Sequence, residues 1–142
     1  MNTFQSVLAR HGVRLPAGLI ADAEVPVLTG PQRQGDVGVF PRQRLTDAER
    51  SDAVIVPAEG IAVVRGEAAT GANTHWLNAD GDVLWVPATQ DGEVLLGAVE
   101  VQEGSVAYLI HEDEHGCNGI GPGVYRLVGK REQASELRRV VD

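Results

Sequence analysis

The 142-residue chain has one cysteine, one methionine, two each of tryptophan, tyrosine and phenylalanine, and no long apolar run. The lone Cys117 excludes an internal disulfide framework and the cysteine-rich zinc folds. No stretch approaches the roughly 20 consecutive apolar residues of a membrane-crossing helix. The opening Met1-Asn2-Thr3-Phe4-Gln5 has neither the charged start nor the apolar run of a secretion signal, so a soluble, cytoplasmic protein is expected. Basic residues are also scarce, 12 against 20 acidic ones, for a net charge of −8. The deficit is local. Residues 1–52 hold six of each sign, residues 53–121 hold Arg65 alone against eleven carboxylates, and residues 122–142 hold five basic against three acidic. Such an acidic middle repels phosphate backbones, and no basic stripe accompanies it, so nucleic acid is not expected as a partner. The acidic clusters can attract cations or a basic protein surface, or simply form a solvated face.

What the chain does have is 17 glycines, 7 prolines and 20 valines, the composition of short strands joined by tight turns. Apolar runs at 53–56, 60–65, 74–78, 83–87, 93–101, 105–112 and 123–130 are separated by Gly, Asp, Asn or Pro. Seven strands at that spacing predict a mainly β protein, an antiparallel sandwich or small barrel. Before them, Asn2 can cap a short helix over 3–11 that Gly12 would end. Residues 13–52 are rich in Pro, Gly and Gln, with one strand at 36–40, and read as an extended arm or an ordered loop on the sheet. After them, Ala134, Leu137, Val140 and Val141 share one face of a C-terminal helix over 131–141. One structural domain is expected, in three parts: 1–52, 53–130 and 131–142.

Two Asp-Gly pairs, Asp80-Gly81 and Asp91-Gly92, have the chemistry of two-residue hairpin turns. If both are such turns, Trp76 faces Trp85, Val83 faces Glu100 and Trp85 faces Ala98. A core face then carries His75, Leu77, Leu84, Val86, Leu95, Val99 and Val101. The opposite face carries Val83 and both tryptophans as a cross-strand pair, which a partner, or the chain's own terminal segments, would cover. A three-residue loop at Gln102-Glu103-Gly104 adds Ala107, Leu109 and His111 to the face of His75.

The densest chemistry lies in His111-Glu112-Asp113-Glu114-His115-Gly116-Cys117, with two imidazoles, three carboxylates and a thiol in seven residues. Imidazole and carboxylate suit Zn, Fe or Mn. The segment follows an apolar strand, so it is not read as the helical H-E-x-x-H of zinc proteases. Cys117 is either a soft ligand or a small buried apolar residue. His75 is the natural further ligand, making the candidate metal set His75, His111, His115 and Glu112 for Zn or Fe. In the hairpin register above, His75 and His111 stand three strands apart, about 14 Å on a flat sheet, so shared ligation needs a sheet that curls or folds over. No serine has the context of a nucleophile elbow. Gly116–Gly123 is followed by a β-branched strand rather than a helix, and reads as a wide turn instead of a phosphate loop.

Three segments together resemble a group of small uncharacterised proteins of bacteria and phages. They are Gln34-Gly35-Asp36-Val37, Gly66-Glu67-Ala68-Ala69-Thr70-Gly71 with His75, and His111-Glu112-Asp113-Glu114-His115 with Pro122-Gly123-Val124-Tyr125-Arg126 and Arg131-Glu132-Gln133. That group often has two histidines soon after the Thr-Gly, where this chain has His75 and Asn73. The resemblance brings no activity with it. The expectation is a non-enzymatic interaction or structural subunit, encoded by a phage or prophage and carried in a virion or used in assembly. It would bind a protein partner or a second copy of itself through Trp76, Trp85, Phe40 and Arg33. The alternative is a metal-binding β protein, or a metal-dependent enzyme, built on the histidines.

Overall fold

The computed structural model describes residues 2–10, 23–64, 74–88, 95–111 and 116–129. Valine-rich alternating segments pair into two facing sheets, a mainly β sandwich. The first sheet orders β1 (Val27–Leu28), β10 (Cys117–Ile120), β9 (Val106–His111), β6 (His75–Asp80) and β5 (Ile61–Val64). The second orders β2 (Gln32–Gln34), β3 (Val37–Pro41), β11 (Gly123–Val128), β8 (Leu95–Val101), β7 (Val83–Pro87) and β4 (Val54–Ile55). Every ladder is antiparallel except β1 on β10. All seven predicted strands are present. No helix among the described residues is long and apolar enough to cross a membrane. The predicted C-terminal helix lies outside the described residues.

Only one of the two pairings that the Asp-Gly signals predict forms: β7 pairs with β8 but β6 does not pair with β7, and Asp91-Gly92 itself lies outside the described residues. β6 pairs with β9 in the first sheet, and β7 with β8 in the second. β6 and β7 are therefore one strand, and β8 and β9 the other, of a long ribbon folded across its middle. At the fold, Asp80-Gly81 is a corner between sheets. A turn with positive φ at both central residues would need it at Asp80 as well, yet among the described residues only glycines have it, Gly81 at 105°. The opposite corner is a turn in which Ser105 N–H donates to Gln102 O at 3.0 Å, with Gly104 at φ 80°. The two corners brace each other: Ser105 Oγ accepts Asp82 N–H at 2.8 Å, and Gln102 N–H donates to Asp82 O at 3.1 Å.

Folding the ribbon lays Leu77, Ala79, Ala107 and Leu109 of one sheet on Val83, Trp85, Val99 and Val101 of the other, all buried in one core. The β7–β8 register pairs Val83 with Val101 and Trp85 with Val99, one residue away from the predicted alignment. A one-residue slip exchanges faces. Val83 and Trp85 thus turn inward, Val86 turns outward to pack with Leu45 and Ala98, and Leu95 is exposed. The indole of Trp85 lies over Gly97, where a Cβ would stand 2.5 Å from Cη2. Trp76 pairs with Ile110 on the outer face of the other sheet, beside a cluster holding Val7, Leu8, Tyr108 and Cys117. The predicted tryptophan pair does not exist, because the two rings occupy different sheets.

Residues 27–41, predicted as an arm or loop with a single strand at 36–40, supply that strand as β3 and two more, β1 and β2, reaching both sheets. Gln32–Gln34 and Val37–Pro41 form a hairpin over Gly35-Asp36, with Gly35 at φ 55°. Helix α1 (Phe4–Arg10) is capped by Thr3 rather than Asn2: Thr3 Oγ1 accepts Ser6 N–H at 3.1 Å, and Ser6 Oγ accepts Thr3 N–H at 2.9 Å. Asn2 instead donates to Asp80 Oδ2 at 2.6 Å and Tyr108 OH at 2.9 Å, fastening the helix to the first sheet.

Helix α2 (Asp47–Asp52) starts with a capping box, Thr46 Oγ1 accepting Glu49 N–H at 3.1 Å and Glu49 Oε1 accepting Thr46 N–H at 2.9 Å. Arg50 holds Glu100 at 2.7 Å and ties the helix to β8. Arg42 grips both Glu49 oxygens, at 2.7 and 2.8 Å. Those bonds, with help from Thr46 N–H, lower the Glu49 carboxyl from its usual 4.5 to about 2. A lowered carboxyl stabilises the fold above its unfolded value near 4.5 and loses that contribution as pH falls through about 2. Solvent screens the pair, so its worth is about 1 kcal/mol or less. Chemical unfolding at stepped pH is expected to show wild type ahead of Arg42→Gln by that margin at pH 6, the gap closing between pH 4.5 and 2. A constant gap would assign the effect to the arginine stem.

Candidate functional site

The folded ribbon brings together two residues that the predicted register keeps apart. His75 opens β6, His111 closes β9, and the β6–β9 register sets them directly opposite each other. Their ring centroids are 4.5 Å apart at an interplanar angle of 63°. Both residues are 3% exposed. They share the inner face with Leu77 and Leu109, as predicted for His111.

The third member comes from the other sheet. Gln34 ends β2 on the inner face and is 2% exposed. Its Oε1 stands 3.0 Å from His75 Nδ1. Its Nε2 donates to Leu109 O at 2.6 Å and to Asn118 Oδ1 at 3.0 Å, with Gly116 O at 3.4 Å. Asn118, on β10, continues the chain of amides by donating to Gln32 Oε1 at 3.1 Å. A buried amide without partners would cost about 1–3 kcal/mol, so this network also holds the edge strand β2 to the first sheet. The sequence signal for it was Gln32-x-Gln34 before a Gly-Asp turn: alternate positions of a strand share a face, and two amides on one face need polar company if that face is buried.

Of the predicted metal set, the structure joins His75 and His111; His115 and Glu112 lie outside the described residues. Among the described residues no group of three or more His, Cys, Asp or Glu is placed to hold an ion. On either side of the segment 112–115 the chain closes on itself, His111 N–H donating to Gly116 O at 3.1 Å. Cys117 is not part of this set. It pairs with Ile110, on the opposite face, and is buried against α1 as a small apolar residue.

The predicted interface residues do not form one surface. Trp85 is 6% exposed inside the core, and Trp76 is half-buried beside Phe4. Phe40 is half-buried beneath the Arg126 guanidinium, 5.4 Å from its ring centre, and Arg33 is exposed on the edge strand β2.

A family model described as "Domain of unknown function (DUF8820)" matches residues 33–130. The chain belongs to the DUF8820 family. The DUF8820 match takes in Gln34, His75, His111 and Asn118, along with the segment 112–115, and leaves α1 and β1 outside. No curated protein and no solved structure matches the chain.

Proposed function

We propose that this DUF8820 protein is a metal-binding β-sandwich with a site built on His75 and His111, completed by Glu112 and His115, for Zn²⁺ or Fe²⁺. One observation carries the reading: two histidines 36 positions apart in the chain meet ring to ring inside the fold. Two imidazoles, a third and a carboxylate make a donor set that these ions favour, and neutral imidazole ligands avoid the cost of burying charge before the ion arrives. The Gln34 oxygen behind His75 is the kind of outer partner that orients a ligating ring.

The test is metal titration of purified, chelator-stripped protein, followed by elemental analysis. One equivalent per chain is expected, with His75→Ala and His111→Ala each abolishing saturable binding while circular dichroism remains wild-type. Metal at about 100 times its dissociation constant should stabilise the fold by about 2.7 kcal/mol, and chelation should reverse this. Wild-type protein that binds no ion refutes the reading.

The interaction reading keeps one support of its own. Val54 and Ile55 on the edge strand β4 are 46% and 78% exposed, and an apolar sheet edge invites another chain. On that reading the same preparations, free of metal, show a mass in light scattering that rises with concentration and falls to monomer in Ile55→Lys. A monomer at every concentration in both refutes it.

A further inference from the structure

Three side-chain amides stand head to tail between the sheets, and main-chain carbonyls fix which way each one points. The oxygen and nitrogen of an amide have nearly the same shape, but a carbonyl can only accept. Gln32 Nε2 donates to Gly119 O at 3.1 Å, which turns Gln32 Oε1 to Asn118 Nδ2. Asn118 Nδ2 also donates to Arg33 O at 3.2 Å, so Oδ1 is the Asn118 atom facing Gln34. Gln34 Nε2 then donates to both Asn118 Oδ1 and Leu109 O. Turning the Gln34 amide over would press its oxygen against two acceptors. The atom it offers to His75 is therefore Oε1, 3.0 Å from Nδ1. An amide oxygen accepts, so the His75 ring donates through Nδ1.

We infer that Gln34 is the positioning residue of the histidine site: it holds His75 as the Nδ1–H tautomer and makes Nε2 the basic nitrogen of the ring. The consequence is a choice of ligand class. In a neutral ring held this way Nε2 is the nitrogen that carries the lone pair, the form in which imidazole ligates a cation. Because the outer partner is a neutral amide rather than a carboxylate, the ring is oriented without adding negative charge to the buried wall. The statement about the ligand rests on the metal-binding reading; the statement about the tautomer does not.

Long-range proton–nitrogen correlation spectra of metal-free, ¹⁵N-labelled protein at neutral pH test this on the wild-type chain. Nδ1 is expected to be the protonated ring nitrogen of His75 and Nε2 the unprotonated one. Gln34→Leu, which removes the acceptor, should mix the two tautomers and weaken Zn²⁺ binding about 10- to 100-fold. Protonation of Nε2 in the wild type, alone or together with Nδ1, overturns the inference, and so does an unchanged tautomer in a folded Gln34→Leu variant. The spectra need no metal. A wild-type chain with the expected tautomer that binds no ion therefore sinks the metal reading alone, and one that binds zinc with Nε2 protonated sinks the role of Gln34 alone.

Discussion

Truncating Trp85 to alanine is expected to cost about 3–5 kcal/mol of unfolding free energy, the range for a large aromatic removed from a closed core. The site has little freedom to collapse. Trp85 is flanked in its sheet by Val54 and Val99, and its ring fills the space that Gly97 leaves open. Backbone ladders on both sides hold the sheets apart, so the lost indole leaves a cavity instead of an inward shift. Denaturant unfolding would show the midpoint falling with the slope unchanged. Trp76→Ala is the matched control, because that ring is half-buried against α1 and its loss should cost clearly less. Equal losses at the two positions would contradict the inward placement of Trp85. Since whole domains are stable by only about 5–15 kcal/mol, the Trp85 variant is expected near the edge of folding.

Gly81→Ala should be nearly as damaging, for different reasons. Its φ of 105° is a conformation that a side chain makes costly, about 1–3 kcal/mol. A Cβ there would also lie 2.3 Å from Ser105 Oγ and 2.8 Å from Ser105 Cβ. Moving Ser105 releases the Asp82 N–H that its hydroxyl accepts, and an unsatisfied donor adds about 1–3 kcal/mol. Together these predict a loss of about 2–6 kcal/mol. Thermal unfolding measures it, and amide exchange at Asp82 should accelerate out of proportion to the rest of β7. Gly104→Ala at the facing corner separates the two causes. Its φ is 80° but nothing lies within 4 Å of the added Cβ, so it bears the backbone term alone. Gly81→Ala costing no more than Gly104→Ala would show that the Ser105 brace is not formed.

These two residues also mark where local chemistry stops being informative. Asp80-Gly81 suits a hairpin turn and a corner alike, because aspartate can take the positive φ that the two-residue turn asks of it and glycine takes it in either. Which one forms depends on whether β6 gains more by lying beside β7 or by lying beside β9 with its apolar face against the other sheet. The second choice buries Leu77 and Ala79 under Val83 and Trp85. At the ribbon tip, pairing of Trp85 with Val99 rather than Ala98 is a shift of one residue, which moves Trp85 from the predicted outer face into the core. The glycine-rich stretch after Gly116 was misleading in another way. Gly119 has no room for a Cβ, the nearest atom being Pro26 O at 2.5 Å, so Cys117–Ile120 is a strand whose glycine admits β1 alongside. Helix α2 had a readable start in Thr46-x-x-Glu49, but its buried face is empty, so no hydrophobic period announced it.

The sequence by itself determined the β class, the positions of seven strands, the likeness of the inner face around Leu77, Leu109 and His111, and the concentration of imidazole and carboxylate near residue 111. Those properties follow from composition and from a period of two, which act over a few residues. Tertiary structure alone decided that His75 stands opposite His111 and that Gln34, 41 residues from His75, reaches across from the other sheet. The reason is that strand pairing is settled by how much apolar surface the folded ribbon buries between its halves, and that sum runs over the whole chain.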